Sequence, residues 1–148
     1  MNTQFLKMSA LCALMAVAAG CSTMSGSGST GGSSASTPPE NETAPPANPG
    51  FAAQMEKFNA QFPNDKATKY EEVSINYNNA QKFDDRGNCH DMSKFPVTIA
   101  LTLDATGKVT STTTDVTGKK AECFRKGYAD VKFPAPPFAP YIKAIRLR

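Results

Sequence analysis

Four cysteines and a single histidine are the side chains in this sequence best suited to covalent, metal or acid–base chemistry. Cys89, His90 and Asp91 are consecutive, and Cys123 follows well downstream. A metal centre drawn from Cys89, His90, Asp91 and Cys123 would take most of its ligands from adjacent residues. Structural zinc sites instead separate paired cysteines by about two to four residues. The spacing therefore weighs against a metal, and no cofactor is expected. A Ser/His/Asp set would have to recruit His90, which stands beside a cysteine. The acids are scattered, Asp84-Asp85 falls in an apparent turn, and no glycine-rich phosphate loop follows a strand. No residue is assigned a catalytic role, and the chain reads as a non-enzyme. A hydrolytic carboxylate pair is the weakest alternative.

The elements that would hold these residues are clearest between Phe95 and Pro140. Val97, Ile99, Leu101 and Leu103 alternate with Thr98, Ala100, Thr102 and Asp104, the period of a half-buried strand. Gly107, in the short Asp104–Lys108 connection, suits a hairpin turn. The following Thr- and Val-rich run predicts a second strand with little burial. Phe124, Tyr128 and Val131 sit at helical spacing and predict a helix facing the sheet. Prolines after Phe133 end that helix, and Tyr141–Arg148 reads as a third strand. A right-handed crossover from second to third strand places the first in the middle, giving the sheet order second–first–third. Upstream, Phe51, Met55, Phe58 and Phe62 form one helical stripe ending at Pro63. Its expected role is packing on the core. Val73, Ile75 and Tyr77 alternate and suggest a short strand. Asn78-Asn79 and residues 84–88 look like turns.

This order of elements resembles the C-terminal domain of the TolA and TonB family of periplasmic proteins. The residues carrying the resemblance are the hairpin with its LDATGKV turn, Ala121-Glu122-Cys123-Phe124 opening the helix, and Phe133-Pro134-Ala135-Pro136-Pro137 after it. It implies an α+β domain over 51–148, a small antiparallel three-stranded sheet packed on helices in the order α-β-β-α-β. The TolA branch often pairs a cysteine before the first strand with one in the helix, and Cys89 and Cys123 stand in those places. The resemblance thus implies a Cys89–Cys123 disulfide.

The N-terminal part sets the compartment. Lys7 and the apolar run Met8–Gly20 have the pattern of a signal peptide, too short to span a bilayer. The run ends Val17-Ala18-Ala19-Gly20-Cys21, which resembles a bacterial lipobox. That resemblance implies cleavage after residue 20 and acylation of Cys21, with palmitate among the attached chains. Ser22 in place of Asp implies sorting to the outer membrane, periplasmic face. Residues 21–50 then form a lipidated tether rich in Gly, Ser, Thr and Pro, with no apolar period to support a core. As a coil it spans roughly 30 Å. With Cys12 removed and Cys21 acylated, an oxidising periplasm leaves Cys89 and Cys123 to pair. Such a bridge is worth about 4 kcal/mol in the chain-entropy model.

From Cys89 onward ten lysines and arginines face five acids, a local excess of +5 in a chain of net charge +3. A modest basic excess suits an acidic protein partner or a solvated surface, and nucleic acid is not expected in this compartment. In the family resembled, an edge strand accepts an extended partner segment by β-augmentation. The corresponding residues here are Tyr141, Ile142, Lys143, Ala144, Ile145 and Arg146. Lys143, Arg146 and Arg148 would discourage self-pairing. The family's inner-membrane helix and long periplasm-crossing segment are missing from this sequence, so the energy-transducing role does not carry over. The expectation is a lipid-anchored envelope adaptor. A constitutive structural or assembly component of an envelope complex is the alternative.

Overall fold

The computed structural model describes residues 42–148. The expected signal peptide, Cys21 and residues 22–41 of the expected tether lie outside the described residues. In order, the elements are α1 (Phe51–Asn59), α2 (Asp65–Gln81), a 3₁₀ stretch (Phe83–Met92), β1 (Val97–Leu103), β2 (Val109–Thr114), α3 (Lys119–Ala129) and β3 (Tyr141–Leu147). The strands form one antiparallel sheet in the order β2-β1-β3, so this is the α+β architecture expected.

Pairing sets which side chains share a face. Val97, Ile99, Leu101 and Leu103 lie opposite Leu147, Ile145, Lys143 and Tyr141. This face is the core, closed by Tyr70 from α2, Phe83 from the 3₁₀ stretch, and Phe124 and Tyr128 from α3. On the other face, Ala100 and Ile142 are buried where α1 packs across all three strands. The apolar stripe of α1 packs as expected but shallowly. Phe51, Met55, Phe58 and Phe62 remain half-buried, with the Phe58 and Phe62 rings edge to face at 4.8 Å.

The expected strand at 73–77 is instead the middle of α2. Asn64 caps that helix by accepting the Lys66 N–H at 2.9 Å. The stripe it buries is Ala67, Tyr70, Ser74 and Asn78, while Val73 is 54% exposed. Helical spacing is present, but two of the four positions are polar, so hydrophobicity alone does not reveal it. Asn78 is tolerated inside because the Tyr128 hydroxyl donates to its Oδ1 at 2.9 Å.

The last residues of the segment expected as a tether up to residue 50 are packed on the domain. Residues 46–48 pair with 115–117 beyond the end of β2: Asn48 N–H donates to Asp115 O at 2.7 Å, and Thr117 N–H to Pro46 O at 2.9 Å. Low hydrophobicity conceals this packing because it is made by backbone groups. At the hairpin, Asp104 Oδ1 accepts from Thr106 N and Lys108 N, and Gly107 takes φ +85°. Phe133 donates its N–H to Gly107 O at 2.9 Å, tying the proline-rich segment back to the turn.

Cys89 and Cys123 form a disulfide, with Cα atoms 5.7 Å apart, joining the 3₁₀ stretch to α3.

Candidate partner-binding edge

β3 is an edge strand, bonded to β1 on one side only. Its outward groups follow from the register. Ile142 turns both its N–H and its C=O away from β1, and the period of two makes Ala144 and Arg146 do the same. Tyr141, Lys143, Ile145 and Leu147 spend their backbone groups on β1.

The expected binding residues therefore divide into two sets. The side chains of Tyr141, Lys143 and Ile145 face the core and are buried. Ile142 is buried on the α1 face, Ala144 is half-buried there, and Arg146 is exposed. Along this edge, only Ala144 and Arg146 offer outward backbone groups with no partner among the described residues.

Ile142 is already taken. Gln61, just past α1, donates Nε2–H to Ile142 O at 2.8 Å, and its Oε1 accepts Ile142 N–H at 2.7 Å. A carboxamide has the donor and acceptor of a peptide group, so Gln61 caps one residue of the edge as a strand would. A glutamine in the turn after a helix carries no sequence signal for this role.

Lys143 departs furthest from expectation. Rather than a surface charge that guards the edge, it is a fully buried ammonium 3.0 Å from Glu71 Oε2. Burial pushes its pKa down, and the Glu71 charge opposes that. The Tyr141 hydroxyl donates to Glu71 Oε1 at 3.0 Å. Burial, followed by the Glu71 charge, drives the Tyr141 pKa above its ordinary value. Leu101 and Lys143 are register partners, so an alternating strand had to place this lysine on the core side. Glu71, one turn inside α2, makes the placement tolerable. The guarding charges at the edge are Arg146 and Arg148, both exposed.

The metal alternative closes with the disulfide, which consumes both sulfur ligands. Among the described residues, Asp84, Asp85 and His90 also group, with ligand atoms within 4.8 Å of one another. His90 Nε2 is 3.9 Å from Asp84 Oδ2, and its Nδ1 contacts the Arg148 carbonyl oxygen. These contacts employ the imidazole in holding the 3₁₀ stretch to the end of β3.

No family model, no curated protein and no solved structure matches this chain.

Proposed function

We propose that this protein is a lipid-anchored binding module of a bacterial envelope, acylated at Cys21, that holds an extended segment of a partner protein along β3. The observation carrying this reading is the pair of outward backbone groups at Ala144 and Arg146, beside the exposed side chains of Arg146 and Arg148. Backbone groups at a sheet edge supply affinity for an extended segment without demanding its sequence. The two arginines favour one with acidic residues. The Gln61 cap restricts pairing to the half of β3 beyond Ile142.

The test uses paired prolines in a Cys21→Ser chain, which is expected to lose palmitate labelling and leave the membrane fraction. Ala144 points its N–H outward, so Ala144→Pro should keep the fold and lose partners captured from envelope extract. Ile145 donates toward β1, and Ile145→Pro should unfold the domain. A folded Ala144→Pro chain that captures the same proteins in the same amounts excludes β3 as the binding edge. Unchanged membrane association and processing of Cys21→Ser excludes the anchor.

A further inference from the structure

Residues 42–48 lie as a strap across the opposite side of the domain from β3. At one end, Ala47 bridges antiparallel to Val116, with the Asn48 and Pro46 backbone bonds given above. At the other, the Glu42 carboxylate accepts the Lys94 N–H at 3.0 Å. Hydrogen bonds from the Ser93 side chain and the Lys94 backbone hold its pKa below the ordinary carboxylate value. Between the two ends is a cavity of about 190 Å³, lined in part by Pro45, Phe95, Val116 and Lys120.

The floor and the strap are built differently. The strap has no buried residue. The floor contains Lys120, only 5% exposed, whose Nζ donates to the neutral Ser93 O at 2.7 Å. Among the described residues, no carboxylate reaches ion-pair distance of that ammonium. A buried charge without a counter-charge in contact is costly to keep for structural reasons alone. Glu42 supplies the largest opposing charge, from a segment held by few contacts.

The strap also specifies what the floor accepts. It donates one backbone N–H across the pairing, at Asn48, and at Pro46 O accepts from the Thr117 N–H and, at 3.4 Å, from the Thr117 hydroxyl. It places a carboxylate four residues before that carbonyl and Pro45 among the residues that line the cavity. The N–H groups missing at Pro45, Pro46 and Pro49 are not required, so a proline-rich extended segment loses nothing here. We propose that the surface beneath residues 42–48 is a binding site for an extended, proline-containing, carboxylate-bearing segment of a partner protein, with residues 42–48 as its resident competitor. This proposal is independent of the β3 edge.

The probe is a fluorescent synthetic peptide of residues 40–49, titrated by anisotropy into the full chain carrying Cys21→Ser. Adding Glu42→Lys removes the carboxylate that accepts the Lys94 N–H, so it weakens the resident strap and should tighten peptide binding by about tenfold. Replacing the second glutamate of the peptide with glutamine should weaken binding by about tenfold with no change to the protein. Lys120→Met in the opened chain should abolish binding while a cooperative melt shows that the fold persists. Should that variant unfold, the glutamine peptide still decides the matter. The proposal is overturned by an opened chain that melts like its parent but shows no saturable binding. Equal binding of the glutamate and glutamine peptides also overturns it. So does a concentration-dependent dimer that exchanges straps and excludes the peptide, because the occupant is then a second copy.

Discussion

The side chain of Gln61 occupies both backbone hydrogen-bonding groups of Ile142, at 2.8 and 2.7 Å. It thereby ties the end of α1 to the edge of β3. The Ile142 amide should exchange with solvent far more slowly than those of Ala144 and Arg146. Gln61→Ala should bring it to the rate of its neighbours, a change read residue by residue by NMR hydrogen exchange. Equal protection of all three amides in the parent would mean that the edge is covered by something other than Gln61.

Lys143 and Glu71 form an ion pair whose lysine side is fully buried. Lys143→Met alone should cost about 3–5 kcal/mol, because it leaves the Glu71 carboxylate without its counter-charge. The double variant Lys143→Met, Glu71→Met should recover most of that loss, since apolar replacement of both partners removes the desolvation cost as well. Urea denaturation of the single and double variants reads the difference. Additive losses would rule out coupling between the two.

Three buried tyrosines set the alkaline limit. Tyr70, Tyr128 and Tyr141 all have pKa values raised above 10.0, chiefly by burial. Their unfolded forms ionise near pH 10 while the folded forms stay protonated. The folded state then holds more protons, so stability falls as pH rises past 10. Lys120 and Lys143, with pKa values lowered by burial, contribute in the opposite sense below their unfolded value near 10.4, but as two groups against three. The urea midpoint should therefore drop between pH 10 and 11, and Tyr141→Phe should make that drop shallower. A midpoint unchanged to pH 11 would contradict the burial of these hydroxyls.

Gly107 and Gly127 should answer alanine substitution with opposite signs. At Gly107 φ is +85°, and a Cβ would lie 2.2 Å from Phe133 O and 2.7 Å from Pro134 O. The backbone strain alone is worth about 1–3 kcal/mol, and the clash with main chain adds to it. At Gly127, inside α3, the nearest atom to a Cβ is Arg86 Cβ at 3.8 Å, an ordinary contact. Gly127→Ala should stabilise by about 0.5–1 kcal/mol. Thermal melts of the two variants measure both effects, and a Gly107→Ala chain as stable as its parent would refute the close approach.

The parts of this fold legible in the sequence are those whose pattern is local. The alternation of Val97 to Leu103, the turn at Gly107, the spacing of Phe124 and Tyr128, and the prolines after Phe133 all report backbone geometry or burial within a few residues. The sheet order followed from the handedness of one crossover. What tertiary structure decided was the fate of polar groups. Ser74 and Asn78 became a buried helix stripe because Tyr128 bonds the asparagine. Lys143 turned inward because Glu71 arrives from α2. Residues 46–48 packed on the domain because the backbone of residues 115–117, beyond the end of β2, was available to them. Gln61 reached Ile142 across 81 positions of sequence. A polar side chain reads as solvated until its partner is known. Only the folded chain brings that partner within hydrogen-bonding distance, so the outline of the edge strand was visible in the sequence and the length of it left unpaired was not.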